Sequence, residues 1–419
     1  IVFKLFYYYS YWIQKMGTGT KSYNTPEWLT VPFVESVLKS FYKVDDIKVT
    51  SLSSSEAGAR GLSFASEMHR VQIEFEKYNV VHPKGPAGLI AHKNRLFERE
   101  ISIYTKILPK VTQLLESVND TTKISPLCYF ATTDFPDVLL ILEDMKCSNF
   151  EMFERGRLIN LEHVLPIVQK IAKLHASSAV IASQSPDLMR SYVEGPISSN
   201  PQRQDFLDFF PANIKTLANE VQEWTGYEEI AEKLFALEKT IIPKAVEMYR
   251  TDPSEFRVVN LGDLWVNNMM FQCNDEYVPE DVILFDYQLA YYGSPAIDLN
   301  YLLFGSVNEN VRKVHFKFIV REYHLHLKDT LERLNYNGVI PTLRDIHIEI
   351  IRKGLHAVIA AVCLAPLILM ETEKFTELQQ LFDRTESGEQ FRRENLQNPR
   401  YKTFIQRTLK EFELSGFLD

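Results

Sequence analysis

The sequence predicts an α+β fold of two lobes: a small lobe built around a sheet, then a larger, mainly helical one. Three observations carry that expectation. At 419 residues the chain is too long for one small core and suits two. Up to about residue 146, strand-like and helical runs are mixed, whereas beyond residue 150 the apolar residues recur at helical spacing. A single island of strand character, 256–290, interrupts the helical part.

The elements follow in order. Residues 1–15, IVFKLFYYYSYWIQK, are apolar and aromatic but lack a small-residue cleavage site. They are expected to be a non-native or upstream-translated leader, with Met16 the natural start and no loss of melting temperature on their removal. PEWLTVPFVESVLKSFY, 26–42, spaces its apolar residues helically behind Pro26. SLSSSEAGARG, 51–61, reads as a small-residue loop. MHRVQIEFE, 68–76, alternates Val71, Ile73 and Phe75 as a strand does. KNRLFEREISIYTKILPKV, 93–111, predicts a helix closing at Pro109, and DVLLILEDM, 137–145, a buried strand. Residues 159–178, 228–250, 308–335, 342–370 and 398–415 are helical in period. Within them GLHAVIAAVCLAPLILM, 354–370, is shorter than the ~20 residues of a membrane span. It is expected to be a buried helix ending near Pro366. The expected division is a leader over 1–15, a smaller lobe over 16–146 and a larger lobe over 147–419.

Composition narrows the class. Hydrophobic residues make up 45% and charged residues 24%, and the net charge is −9. No basic excess offers a face to nucleic acid. The four cysteines, Cys128, Cys147, Cys273 and Cys363, form no CxxC pair, which speaks against a disulfide framework or zinc site and for a reducing, cytoplasmic setting. No nucleic acid and no membrane span are expected, and the oligomeric state is left open.

The chemistry concentrates in the island. FRVVNLGD, NNMMFQC and DVILFDYQ read as three strands of one small sheet, with Asp263, Asn267, Asn268 and Asp286 at one end. Each Asp alone would pass for a turn residue and the Asn pair for a cap. Together they form a set of oxygen donors that suits Mg²⁺, a hard cation that shares phosphate oxygens with the protein. Zinc would want His or Cys. D-x₄-N followed by an apolar strand ending in D-[FY] is the catalytic layout of kinase-like phosphotransferases, in which the first Asp orients a hydroxyl for in-line transfer.

The block FRVVNLGDLWVNNMMF…DVILFDYQLAYYGSPAIDLNYLLF, with PEWLT, LFEREISIYTKILPKV, LILEDM and IAKLHASS in the same order, resembles the ecdysteroid kinase-like (CHK kinase-like) family, relatives of choline kinases and aminoglycoside phosphotransferases. The resemblance implies a two-lobed protein-kinase-like fold with ATP in the cleft and Mg²⁺ beside it. It makes Asp263 the catalytic Asp and Asn268 and Asp286 the Mg²⁺ ligands. Glu100 becomes the helix Glu that pairs with a phosphate-binding Lys. Glu143, Asp144 and Met145 become the hinge that meets adenine, and Gly58 and Gly61 the loop over the phosphates. Asp298 would brace the catalytic loop. Trp265 and Tyr291, with Phe209, Phe210 and Tyr292, are candidate walls of a substrate pocket, although aromatics of this kind equally suit a core.

Two departures stand out. Leu261 replaces the family's scaffold His, which keeps the packing and loses a hydrogen bond; a buried carbonyl left unsatisfied costs ~1–3 kcal/mol. Val80 stands at the family's Lys position, leaving Lys77 and Lys84 as the nearest cations. The expected activity is ATP-dependent phosphorylation of a hydroxyl on a small, fairly apolar molecule of ecdysteroid or xenobiotic-metabolite type. The alternative is an impaired pseudokinase that binds a ligand or partner.

Overall fold

The computed structural model describes residues 2–9, 30–42, 49, 51–56, 67–74, 96–133, 137–154, 156–197, 207–252, 254–370, 380 and 385–419. The chain forms two compact units, Ile1–Leu108 with Ser125–Glu151, and Pro109–Ile124 with Met152–Asp419.

The first unit is built on a five-stranded antiparallel sheet. Its strands are β1 (Val2–Tyr9), β2 (Ser51–Glu56), β3 (Glu67–Glu74), β4 (Cys128–Thr132) and β5 (Asp137–Glu143), in spatial order β2-β3-β1-β5-β4. Two expectations are corrected here. Ser51–Glu56 is an edge strand paired with β3, not a loop; the ladder supplied by β3 overrides the weak strand preference of serine. The larger correction concerns the start of the chain. Val2–Tyr9, inside the expected leader, is an inner strand, registered on β3 from Val2↔Gln72 to Tyr7↔Glu67 and on β5 from Phe3↔Glu143 to Tyr9↔Asp137. An apolar, aromatic composition is also that of a strand flanked on both sides.

Removing residues 1–9 should therefore be destructive. It leaves a β2–β3 ribbon and a β4–β5 ribbon, each with a newly unpaired edge. Amide hydrogen exchange at Leu140, Ile141 and Leu142 should accelerate at least tenfold and the melting temperature should fall. Unchanged exchange at these three amides would mean that the strand adds nothing to the sheet.

After α1 (Val31–Tyr42), the helical run that follows β3 is α2 (Leu96–Ser102), a π-turn at Ile103–Ile107 and α3 (Leu108–Ser117). Pro109 does not close it. Proline has no N–H for the carbonyl four residues back, and its ring presses on that carbonyl. A π-turn placed just before it widens the backbone and lets the helix continue.

The second unit is mainly helical. Its helices α4 (Leu161–Gln184) and α8 (Glu309–Arg333) pack together, as do α5 (Phe209–Val221) and α6 (Glu228–Met248). The 256–290 island makes two separate ribbons instead of one sheet. In one, β6 (Val258–Asn260) pairs with β9 (Tyr291–Gly293); in the other, β7 (Met269–Cys273) pairs with β8 (Pro279–Leu284). Behind them runs α7 (Ala296–Gly305), every residue of which is buried. Its far end is pinned by Arg312 of α8, itself fully buried. The guanidinium donates to the Leu303 carbonyl at 3.0 Å, lies 4.4 Å from the Phe304 ring and meets Glu411 at 3.0 Å.

The apolar segment 354–370 is helical in pieces: α10 (Gly354–Ile359), a π-turn at Ala360–Leu364 and α11 (Ala365–Ile368). Pro366 sits in the first turn of α11, where a missing N–H is harmless, so the helix runs past it. Among the described residues no single helix is long and apolar enough to cross a membrane.

Candidate active site

The loop after β6 is shaped by its backbone. Gly262 has φ +77°, and a Cβ there would fall 2.0 Å from the Leu289 carbonyl oxygen, so no other residue fits. Asn260, fully buried, ties the two ends of the island together. Its Nδ2 donates to the carbonyls of Tyr291 and Gly293, each at 3.3 Å, and its Oδ1 accepts from the Asp298 amide at 3.2 Å.

Asp298, in the first turn of α7, holds the loop directly. Oδ2 accepts from the Leu261 amide at 2.8 Å and Oδ1 from the Gly262 amide at 3.0 Å. His175 of α4 places Nε2 3.2 Å from the same Oδ2, with Nδ1 2.8 Å from the Tyr323 hydroxyl. All three side chains are wholly buried. With the carboxylate accepting, Nε2 carries a proton, and Nδ1 exchanges a hydrogen bond with the Tyr323 hydroxyl. Leu261 is itself fully buried, and its amide is satisfied by Asp298.

Asp263 follows. The Tyr301 hydroxyl donates to Oδ1, and Asn268 Nδ2 donates to Oδ2 at 3.1 Å and to the Asp263 main-chain oxygen at 3.0 Å. Burial pushes the carboxyl up to about 6; the bonds from Tyr301 and Asn268 oppose that rise, and the charge of Asp298 adds to it. The Tyr301 hydroxyl is raised well above its ordinary value, by burial first and then by the Asp263 charge, so it remains a donor. The loop closes as a 3₁₀ turn, Val266–Asn268, with the Val266 amide donating to the buried Ser306 hydroxyl at 3.0 Å.

Asn268 and Asp286 are brought together by the β7–β8 hairpin. Met269 registers with Leu284, and the Phe285 amide donates to the Asn268 carbonyl at 3.1 Å. Asp286, next in line, takes φ +66°, a left-handed conformation that Asp tolerates, and accepts from the Gln288 amide at 3.4 Å. Asn268 Nδ2 is committed to Asp263, which turns Oδ1 away from that residue; Oδ1 has no protein donor among the described residues. Among the described residues no group of three or more His, Cys, Asp or Glu assembles. The oxygen set at this place contains an amide and a carboxylate.

The remaining expected residues fall as follows. Trp265 is half-buried beside Asp263, and its indole Nε1, buried, has no hydrogen-bond partner among the described residues. Tyr291 is 1% exposed, its hydroxyl is given to the Tyr249 carbonyl and its ring meets that of Tyr249 edge-on. That is a core side chain and not a substrate wall, a correction with a simple cause: β9 runs inside the unit. Phe209 and Phe210 are buried as well, while Tyr292 carries Arg257 over its ring at 5.1 Å. In the first unit Glu100 is 2% exposed on α2 and its charge acts on the Cys128 thiol, which burial first of all raises to about 12. Glu143, at the end of β5, accepts from the Leu127 amide at 3.0 Å, and Asp144 caps a 3₁₀ turn that begins at the buried Met145. Gly58, Gly61, Lys77, Val80 and Lys84 lie outside the described residues.

Tyr301, His175, Asn260 and Ser306 are site residues that sequence reading missed. A faint signal existed for one: Tyr301 stands three residues after Asp298 and so shares its helix face.

The model of the ecdysteroid kinase-like family matches residues 60–336. No curated protein matches the chain. Among solved structures, an ADP-bound aminoglycoside phosphotransferase is 14% identical, with 85% of this chain and 98% of that chain covered and a TM-score of 0.32. A macrolide 2'-phosphotransferase apoenzyme from Brachybacterium faecium is 13% identical, with 84% of this chain and 99% of that chain covered and a TM-score of 0.30. At such scores the likeness is too loose to match individual residues.

Proposed function

The chain belongs to the ecdysteroid kinase-like family of small-molecule phosphotransferases, and from that premise we propose that it transfers the γ-phosphoryl group of ATP to a hydroxyl of a small, fairly apolar molecule. The observation that carries the reading is the Asp263 carboxylate, half-buried, held at both oxygens and joined through Asn268 to the Asp286 end of the hairpin. In the proposed step the acceptor hydroxyl gives its proton to Asp263. Its oxygen bonds to the γ-phosphorus as the bond to the β–γ bridging oxygen breaks, and ADP leaves.

Asn268 Oδ1 and the Asp286 carboxylate fit Mg²⁺ by chemistry, being oxygens, and by direction, since the Asn268 amide nitrogen is already engaged by Asp263. Bound there, Mg²⁺ would neutralise phosphate charge. Asn is needed at 268 because its two ends do different work; Asp would set two carboxylates against each other. Trp265 supports an acceptor side next to Asp263, where its unpartnered N–H would gain an acceptor atom.

The reading is tested by Mg²⁺-dependent ATP turnover against a panel of hydroxylated steroids and glycosides. The sites are tested by thermal-shift titration with ATP and Mg²⁺. Asp286→Ala should weaken nucleotide protection by roughly tenfold or more in apparent affinity. Protection equal to wild type in that variant would place the metal elsewhere. A protein that binds nucleotide and turns nothing over would favour the pseudokinase alternative, whose motive is Leu261.

A further inference from the structure

We propose that Tyr301 is a positioning residue of phosphoryl transfer, fixing the Asp263 carboxylate through its hydroxyl; the inference rests on the phosphotransferase reading above. A carboxylate at the tip of a loop turns freely about its last bond, yet it must present one oxygen to the acceptor hydroxyl. Two side chains hold the Asp263 carboxylate, Tyr301 at Oδ1 and Asn268 at Oδ2. Asn268 also bonds the loop backbone, and its carbonyl accepts from the Phe285 amide next to Asp286. Tyr301 makes no other hydrogen bond among the described residues, so orienting Asp263 is all its hydroxyl does.

The seat of Tyr301 is rigid. It is 3% exposed on α7, a helix buried at every residue, and its ring lies against that of His356, 5.6 Å away and tilted by 47°. His356 is also buried, and burial lowers it to about 4, so the ring packs there as a neutral imidazole. One turn earlier on the same face of α7, Asp298 grips the Leu261 and Gly262 amides; just past its end, Ser306 takes the Val266 amide. One buried helix thus sets both the backbone of the loop and the plane of its carboxylate. With one donor on each oxygen, each keeps a lone pair, and the acceptor hydroxyl meets a carboxylate whose orientation is already decided.

The test is Tyr301→Phe in the full chain, which keeps the ring and its packing and removes only the hydroxyl. ATP turnover onto the acceptor panel, or onto water where no acceptor responds, is measured with KM for ATP and the melting temperature. The expected result is kcat lower by roughly 10- to 100-fold, with KM for ATP within about twofold of wild type and little change in melting. A kcat within about threefold of wild type overturns the inference. So does a variant whose kcat, KM and melting temperature all deteriorate together, since that is the signature of a merely structural tyrosine. Wild-type protein without ATP turnover on any acceptor or water overturns the phosphotransferase reading and this inference with it; active wild type beside an equally active Phe variant overturns the inference alone.

Discussion

Asn in place of Asp263 should lower turnover by about 10³-fold or more and at the same time leave the protein as stable as wild type or more so. The rate loss follows from the proton: an amide cannot accept one, and a positioned base contributes roughly 10²–10⁴-fold. The stability gain follows from burial. Asp263 is raised from an ordinary carboxylate value to about 6, mainly by burial. A group whose folded value lies above its unfolded value binds protons more tightly when folded, so its ionisation costs stability as pH rises between the two values. Below about pH 4 the carboxyl is protonated in both states and costs nothing; above about pH 6 the cost is complete. Because the side chain is partly exposed, about 1–2 kcal/mol is a fair size for it. Asn carries no charge to bury. Its oxygen still accepts from Tyr301, and Asn268 retains the Asp263 main-chain oxygen as acceptor. Denaturant unfolding without nucleotide or metal should show the variant ahead by that margin at pH 7 and level with wild type at pH 4. Near-wild-type turnover would remove Asp263 from the chemistry, and a stability difference independent of pH would remove burial of its charge as the cause.

The parts legible in the sequence are those whose partners are close in the chain. Asp263 and Asn268 are five residues apart and bond each other, so the D-x₄-N spacing reports a real contact. The hairpin that delivers Asp286 is equally local, and its apolar strands announce it. The residues that brace the loop answer to distant partners: Tyr301 lies 38 positions from Asp263, and His175 lies 123 from Asp298. No periodicity records such a pairing, and a Tyr or His on an apolar helix face looks like core. The first strand fails for the same reason. Val2–Tyr9 acquires meaning only from β3 and β5, some 60 and 130 residues on, so it resembles a leader when taken alone. Two small sheets in place of one show the limit within the island itself: alternation and apolar runs identify β6, β7 and β8, but not that β6 pairs with Tyr291–Gly293. The π-turn ahead of Pro109 was beyond sequence reading because proline alone argues for an end, and only the surrounding packing makes continuation worthwhile.

Asp298→Asn should have the opposite profile to Asp263→Asn, losing stability and activity together. Three donors converge on the Asp298 carboxylate: the amides of Leu261 and Gly262 and the Nε2 of His175. Asn offers one oxygen where the carboxylate offers two, and its NH₂ must face a donor. If the NH₂ replaces Oδ1, the Gly262 amide is stranded. If it replaces Oδ2, the Leu261 amide is stranded, while His175 can accept from the NH₂ at Nε2 and donate from Nδ1 to the Tyr323 hydroxyl oxygen, which leaves the Tyr323 proton without its acceptor. Water cannot repair the loss, since Asp298, His175 and Tyr323 are all wholly buried. Each buried donor left unsatisfied costs about 1–3 kcal/mol, so a total of about 2–4 kcal/mol is expected. The same substitution loosens the backbone that aims Asp263, and Gly262 cannot settle into another conformation without displacing its contact with Leu289. Urea unfolding and ATP turnover on the same preparation provide the check, with the two losses expected side by side. An unfolding midpoint equal to wild type would show that the carboxylate is not what holds the loop. A lowered midpoint with undiminished turnover would show that the loop is held by Asp298 for the sake of the fold and that Asp263 is aimed by something else.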